Sequence, residues 1–384
     1  MRGFKSVLNY IKRTDKLYWL VMLCVSAYSL LLLKTVPVDK GRSYFSTMLI
    51  AVALGYFGAI LLSLIDYREI AAFWYVIAGF SLFLMLYTLK FGNAVTNSGG
   101  VNAKAWIDLG VTSFQPSELV KIGFIITFSK HLSELEKRGL LKSPLHVVLL
   151  AGHALIPIVL VALQGDTGAG IIFFCMFLAM AFAAGIQLRY FAALFAVVCA
   201  AVPLAWKYDL MSEYQKQRML VAYHLDEDTD AVRQYGWQQI QGRMSIGSGG
   251  LWGRGLFQSP RVNSGVVPVQ QSDFIFSVAG EQLGFVGCAA IILLLLLLLL
   301  RTLREARKAS DPMGCSICMG FFGMIASQMI FNLGMCLDLL PVMGVTLPFF
   351  SAGGSSAACL YFGFGLVLSV HMHKMSAEKV TLRR

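Results

Sequence analysis

The chain contains 384 residues, of which 57% are hydrophobic and only 14% are charged. Soluble domains carry about 25% charged residues, so this composition excludes a soluble globular domain, as well as a disordered chain, a collagen and a coiled coil. The formal net charge of +11 requires no nucleic-acid partner, because basic residues commonly hold cytoplasmic loops against a membrane.

Stretches of about 20 apolar residues, the length that spans a bilayer as a helix, recur along the whole chain. They predict an all-α integral membrane protein with about ten transmembrane helices. A large loop at about 208–272 separates the seventh span from the eighth. We interpret residues 1–384 as a single transmembrane domain. The predicted spans are 17–35, 46–65, 70–90, 116–132, 145–164, 167–186, 190–207, 273–300, 313–336 and 354–373.

The distribution of lysine and arginine predicts the orientation of these spans. With the N-terminus inside the cell, the inner segments hold 19 basic residues and the short outer segments hold 5. Such an excess is typical of cytoplasmic loops. Because the number of spans is even, we expect both termini to be cytoplasmic and the 208–272 loop to be extracellular.

Several ionisable residues lie inside or at the ends of apolar spans, where charges are costly and often functional, and four of them stand out. Glu118 and Lys121 lie three residues apart in the fourth span, so a helix places them on one face. They form either a mutually neutralising pair or the wall of a polar cavity in which Lys121 meets an anion. Asp166 precedes the sixth span and Asp273 opens the eighth. Each is either a helix cap or part of an active site.

The later part of the long loop, GRMSIGSGGLWGRGLFQ, is rich in glycine. It matches neither a P-loop, because no Gly-Lys-Ser/Thr follows, nor G-x-G-x-x-G, because Trp252 stands where glycine is required. It is either a flexible loop packed at the membrane surface or a backbone that contacts a phosphate or a sugar. Trp237 and Trp252 are either interfacial anchors or surfaces on which a sugar stacks. These residues alone fit a transporter or an enzyme that acts on a lipid-linked substrate.

Five motifs, in this order, resemble the SEDS family (shape, elongation, division and sporulation), which includes RodA, FtsW and SpoVE. The resemblance covers essentially the whole chain and is closer to RodA than to FtsW. The motifs are AWIDLGVTSFQPSELVK at 105–121, LQGDTG at 163–168, IGSGGLWGRGLFQ at 246–258, SDFIFSVAGEQLGFVG at 272–287 and LPVMGVTLPFFSAGGSS at 340–356.

The resemblance implies a peptidoglycan glycosyltransferase. Such an enzyme polymerises lipid II, a disaccharide-pentapeptide on undecaprenyl pyrophosphate, into glycan strands at the outer face of the bacterial cytoplasmic membrane. Undecaprenyl pyrophosphate is released. The implied partners are lipid II, membrane lipid and a class B penicillin-binding protein, which crosslinks the strands.

The resemblance also assigns roles residue by residue. Asp273 matches the family's essential aspartate, which opens D-F-I-F, and is the expected catalytic base. We expect Lys121 and Arg218 to face the pyrophosphate, and a divalent cation, Mg²⁺ or Mn²⁺, is a candidate cofactor there. The expected substrate-binding residues are Trp106, Glu118, Lys121, Asp166, Gln217 and Arg218.

Several positions depart from the usual family pattern. They bear on the subfamily more than on the chemistry, since the aspartate of D-F-I-F and the charged pair of the fourth span are present. The departures are Gly165, Thr167, Val269, Gln271 and Ala352.

Two functions of other classes stay open beside the enzyme. One is a lipid II flippase, which moves the same substrate without chemistry and whose expected signs are broken helices and charges at the membrane midplane. The other is a scaffold for a partner transpeptidase. The long, charged loop favours the enzyme, because a flippase needs no elaborate site on one face.

Overall fold

A computed structural model describes residues 10–38, 43–96, 102–108, 113–209, 211–227 and 229–381. Some basic residues of the topology prediction, at 1–9, 39–42 and 382–384, lie outside these ranges, as do parts of the 91–115 and 208–272 segments. In chain order the α-helices are α1 (Lys16–Thr35), α2 (Tyr44–Leu64), α3 (Tyr67–Ala72), α4 (Trp74–Phe91), α5 (Pro116–Lys137), α6 (Pro144–Leu163), α7 (Thr167–Ala183), α8 (Leu188–Lys207), α9 (Glu213–Val221), α10 (Trp237–Gly249), α11 (Pro260–Asn263), α12 (Ile275–Arg307), α13 (Pro312–Cys336) and α14 (Gly354–Thr381).

Ten of the described helices are long, and they coincide with the ten predicted spans. Eight of them are long and apolar enough to cross a membrane by length and composition. The other two are α7, with 17 residues, and α5, which carries the charged pair Glu118 and Lys121. α5 can carry these charges because most of its residues are buried among neighbouring helices. The predicted all-α membrane architecture is confirmed.

A small antiparallel sheet precedes α5, and the all-α prediction omits it. Its strands are β1 (Asn93–Thr96), β2 (Asn102–Asp108) and β3 (Ser113–Phe114), in the order β1-β2-β3. These strands are too short for an alternating pattern to reveal them in the sequence. The Lys104 N–H donates to the Gln164 carbonyl at 2.9 Å, which ties the sheet to the end of α6.

Glycines let the long helices approach closely. A Cβ at Gly55 of α2 would lie 2.5 Å from the Tyr361 ring of α14, and a Cβ at Gly365 of α14 would lie 2.7 Å from the Ala59 Cα of α2. Small residues are typical of contacts between membrane helices, where lipid supplies no hydrophobic drive for association. In contrast, α8 has no buried residue and therefore lies at the edge of the bundle.

α12 is broken at Gly284, whose φ of 65° and ψ of −158° are not helical. The break frees backbone groups that pair with the glycine-rich loop. Two loop N–H groups, at Arg254 and Gly255, donate to α12 carbonyls at 2.9 and 3.0 Å. Two α12 N–H groups, at Phe285 and Val286, donate to loop carbonyls at 2.8 and 3.2 Å. The glycine-rich segment is therefore held against α12 by backbone hydrogen bonds and is not the flexible loop of one interpretation.

This close approach predicts different effects for two glycines of α10. A Cβ at Gly249 would lie 1.9 Å from the Gly280 carbonyl oxygen, whereas a Cβ at Gly247 would meet nothing within 4 Å. We expect Gly249→Ala to lower the free energy of unfolding by about 1–3 kcal/mol, the usual cost of overpacking. The matched control, Gly247→Ala, should be neutral or slightly stabilising. Thermal unfolding of both variants in detergent measures the difference, and equal melting temperatures would contradict this packing.

Candidate active site

Asp273 lies in a turn directly before α12, at the end of the bundle that carries the long loop; we call this the loop end. Its carboxylate accepts a hydrogen bond from the Ser272 hydroxyl at 3.2 Å. The N-cap position of α12 is Phe274, and no side chain caps the helix. The helix-cap interpretation of Asp273 is therefore wrong, and its carboxylate is left for another role.

The turn that carries Asp273 is held by distant parts of the chain. Three consecutive carbonyls, at 271–273, accept hydrogen bonds from the Ala352 N–H at 2.7 Å, the Ser351 hydroxyl at 2.6 Å and the Asn332 amide at 2.9 Å. The same Asn332 amide donates to the Val345 carbonyl at 2.8 Å. Asn332 was not predicted from the sequence, although a polar amide inside the ninth apolar span was an available signal.

α9 of the long loop brings Arg218 to the same place. Its Nη1 donates to the Val342 carbonyl at 3.0 Å, and its Cζ lies 4.4 Å from the centroid of the Tyr214 ring. Its Nε is buried and has no hydrogen-bond partner within the described residues. Burial lowers the pKa of Arg218 from its ordinary value, and the charge of Asp273 opposes that change.

Burial raises the pKa of Asp273 from 3.8 to about 6. The Ser272 hydrogen bond and the positive charge of Arg218 lower it, while the negative charge of Asp166 raises it. Both charges therefore lie close enough to act on this carboxylate. A carboxylate with a pKa near 6 is a stronger base than an ordinary one and is still ionised at neutral pH.

Asp166 caps α7, because its carboxylate accepts the Ala169 N–H at 2.9 Å. The Gln115 side-chain amide donates to the other carboxylate oxygen at 2.8 Å. Burial raises the pKa of Asp166, while the Ala169 N–H and the charge of Lys121 lower it. The cap interpretation is confirmed, and the effect of Asp166 on the pKa of Asp273 places it in the same cluster.

Glu118 and Lys121 form a buried ion pair at the start of α5. The Lys121 Nζ lies 2.9 Å from each carboxylate oxygen of Glu118. The two side chains are only 7% and 2% exposed. Of the two interpretations, the structure shows the mutually neutralising pair. Its charges act on the Asp166 carboxyl, so the pair lies beside the cluster.

Two other predicted substrate-binding residues lie apart. Trp106 is half-buried on β2, where it pairs with Asn93. Gln217 donates to a Glu213 carboxylate oxygen at 2.7 Å, one turn earlier on α9. These contacts bring neither side chain to Asp273, and their binding roles stay predictions.

An apolar cavity of about 560 Å³ lies between α10 and α12. One of its lining residues, Phe276, follows Asp273 by three residues in the chain. Other side chains of its wall are Ile246, Phe285, Ile292 and Leu337.

Taken together, the Asp273 carboxylate, the Asp166 carboxylate and the Arg218 guanidinium lie at the loop end of the bundle, and both Asp166 and Arg218 affect the pKa of Asp273. A sequence model of the FtsW/RodA/SpoVE family, described as cell cycle protein, matches residues 14–376. The chain belongs to this family. It is the SEDS family that the five motifs predicted.

Relatives of this SEDS protein are similar over most of its length. Peptidoglycan glycosyltransferase MrdB of Escherichia coli (strain K12) is 32% identical over 79% of this chain and 81% of MrdB. Stage V sporulation protein E of Bacillus subtilis (strain 168) is 32% identical over 75% of this chain and 76% of that protein.

Solved structures share the fold. One solved structure concerns the structural coordination of polymerization and crosslinking by a peptidoglycan synthase complex. A chain of that structure has a TM-score of 0.79 and 28% identity with this chain. The match covers 94% of this chain and 98% of that one. Thermus thermophilus rod shape determining protein RodA has a TM-score of 0.69 and 27% identity over 94% and 97% of the two chains.

The donor set of the site bears on the predicted cation. Mg²⁺ commonly binds one or two carboxylates together with substrate phosphates, and Asp166 and Asp273 are two such carboxylates. A group of three metal-type ligands in the described residues, Asp15, Glu305 and His371, lies instead where α1 begins and α12 ends. The residues of the site therefore fit a divalent cation that arrives with phosphate oxygens.

The buried pair makes a prediction for stability. Glu118→Gln leaves the Lys121 ammonium buried without its counter-charge, and Lys121→Met does the reverse. Breaking such a pair costs about 3–5 kcal/mol, whereas replacing both partners is often tolerated. We therefore expect each single variant to melt at a much lower temperature and the double variant to recover most of the loss.

The same helix offers a control. Lys130 and Glu134 pair at 3.1 Å with side chains 33% and 48% exposed, so Lys130→Met should cost only about 0–1 kcal/mol. Melting temperatures of all four variants in detergent, compared with the unmodified protein, decide the question. A double variant as unstable as the two single losses combined would show that the charges do not act as a pair.

Proposed function

We propose that this protein is a peptidoglycan glycosyltransferase that polymerises lipid II into glycan strands and releases undecaprenyl pyrophosphate. The observation that carries the proposal is the Asp273 carboxylate, which caps no helix and whose pKa the Arg218 cation lowers. Its relative MrdB is named for the same activity. A flippase or a scaffold transfers no proton and therefore needs no such base.

The reaction needs a base for the acceptor and positive charge for the leaving group. Asp273 accepts the proton of the acceptor 4-hydroxyl while that oxygen bonds to the anomeric carbon of the donor. The bond between the anomeric carbon and the pyrophosphate oxygen breaks, and its electron pair leaves with the pyrophosphate. Attack opposite the leaving group inverts the anomeric centre.

Arg218 is better placed than Lys121 to meet the pyrophosphate. The Lys121 charge is already bound by Glu118, whereas the Arg218 guanidinium has a buried Nε with no partner in the described chain. Lys121 then acts through Asp166, whose ionised form its charge favours. A divalent cation, Mg²⁺ or Mn²⁺, held by Asp166 or Asp273, would add positive charge for the leaving pyrophosphate.

The apolar cavity fits the lipid part of the substrate. It is lined by residues such as Phe276, Phe285 and Leu337, and Phe276 lies three residues after the proposed base in the chain. Lipid sites are mostly apolar with a few placed polar groups, which is the arrangement at this end of α12. We assign part of the undecaprenyl chain to this cavity.

The loop end belongs, in this proposal, to the outer face of the bacterial cytoplasmic membrane, with both termini cytoplasmic. The excess of basic residues in the opposite segments supports this orientation. A class B penicillin-binding protein is the proposed partner. One structural neighbour comes from a peptidoglycan synthase complex that coordinates polymerization and crosslinking, which supports such a pairing.

Asp273→Asn tests the base. An amide cannot take the proton, so we expect the rate of lipid II polymerisation to fall about 10²–10⁴-fold while the fold is kept, because no helix cap is lost. In the unmodified protein the base must be ionised. Its rate should therefore rise with pH below about 6 and level off above it. Glycan synthesis by purified protein, measured on gels, checks both expectations. The measurements run from about pH 5 to 8, because such a base titrates within roughly this range.

Asp226→Asn is the matched control, since Asp226 is an acid of the same loop with a side chain 88% exposed. It should polymerise normally with an unchanged pH profile. Near-normal synthesis by folded Asp273→Asn protein would refute the assignment of the base.

Orientation has its own test. Asp230 in the long loop and Lys308 after α12 are exposed and lie at opposite ends of the bundle. The test introduces Asp230→Cys or Lys308→Cys into a cysteine-free background. An impermeant thiol reagent applied to intact cells whose outer layers admit it should label the first and spare the second. The reverse pattern would exclude the outward loop end.

A further inference from the structure

A second, smaller cavity lies within the long loop and has a volume of about 70 Å³. Three short elements form it: α9, the π-helical turn Val232–Gly236 and the first turn of α10. Three aromatic rings, two side-chain amides and one guanidinium dominate its walls. They belong to Tyr214, Tyr235, Trp237, Gln234, Gln238 and Arg218.

The aromatic rings surround the cavity in a fixed arrangement. The Tyr214 and Tyr235 ring centroids lie 5.8 Å apart with an interplanar angle of 61°, and the Arg218 Cζ lies 4.4 Å from the Tyr214 centroid. Trp237 is 49% exposed, so part of its ring is left uncovered. An aromatic ring offers an apolar face to the C–H groups of a sugar, while amides can both donate to and accept from its polar substituents.

Two polar atoms at this cavity lack partners within the described residues. They are the Tyr214 hydroxyl and the Arg218 Nε, and both are buried. Buried polar groups normally have a hydrogen-bond partner, so these atoms mark positions where an outside group completes the site. The π-helical turn is a second sign, because π-helical turns are rare and frequent at functional sites.

We propose that this cavity binds an N-acetylated sugar ring. The proposal rests on the proposed function and adds a saccharide subsite to it. The cavity of about 70 Å³ exceeds the volume of two water molecules, at roughly 30 Å³ each, so only a small substituent of a sugar, such as its acetamido group, enters it. The ring itself lies against the uncovered face of Trp237. Arg218 borders this cavity and donates to the Val342 carbonyl, in the segment whose Ser351 holds the turn before Asp273, so the bound sugar lies near that turn.

Direct binding is measured first, with chitotetraose as the N-acetylated probe and cellotetraose as the probe without acetamido groups. Saturation-transfer NMR on the purified protein should detect chitotetraose and a much weaker signal from cellotetraose. Trp237→Ala should weaken chitotetraose binding about tenfold. Trp252→Ala is the matched control, because Trp252 is 78% exposed in the same loop but lies outside the cavity.

Polymerisation assays then identify the source of the sugar. If it belongs to the growing strand, Trp237→Ala and Gln234→Ala should shorten the glycan chains several-fold and leave the first coupling of two lipid II molecules nearly unchanged. If it belongs to incoming lipid II, the same variants should raise the KM for lipid II at unchanged chain length. Either result supports the subsite. Trp237→Phe, which keeps an aromatic face, should retain most of the activity in both cases.

Two failures are distinguishable. If the Trp237→Ala and Gln234→Ala variants bind chitotetraose and synthesise glycan like the unmodified protein, the subsite is refuted and the proposed function is not. An unmodified protein that binds chitotetraose but makes no glycan from lipid II would overturn the proposed function.

Discussion

The buried backbone of the turn before α12 must find hydrogen-bond partners, and the arrangement of the loop end depends on how it finds them. The three carbonyls at 271–273 are satisfied by Asn332, Ser351 and Ala352, which come from α13 and the segment after it. Each bond fixes one point of the turn, so the Asp273 carboxylate is carried by a rigid backbone. The segment 337–353 also accepts a hydrogen bond from Arg218, and it thereby joins the long loop to the turn.

The same requirement explains the glycine-rich motif. A helix break exposes backbone groups that must be paired where water is scarce, and the loop supplies those pairs beside Gly284. A Cβ at Gly249 or Gly253 would lie 1.9 or 2.1 Å from an α12 carbonyl oxygen, so only glycine permits this approach. The motif therefore encodes close contact between two backbones rather than a phosphate loop.

The charged side chains of the loop end differ in how many hydrogen-bond and ion-pair partners they already have. Lys121 is bound by Glu118, and Asp166 is occupied by a helix N-terminus and an amide. Asp273 and Arg218 keep unused hydrogen-bonding capacity and influence each other across the cluster. In the proposed mechanism these two residues act on the substrate, while Lys121 and Asp166 influence them through their charges. Arg218 also lines the aromatic cavity of the long loop.

The sequence by itself determined the membrane class, the ten long helices and the shared face of Glu118 and Lys121, because bilayer thickness and helical spacing are local rules. It could not distinguish a helix cap from an active-site residue at Asp166 or Asp273, since both roles place an aspartate before a helix. The tertiary structure decided which of the two is a cap: the Ala169 N–H donates to Asp166, and no side chain caps the helix after Asp273. The bonds that hold the Asp273 turn join residues 59 and 79 positions apart. No local pattern specifies such contacts, because they exist only once the helices have packed.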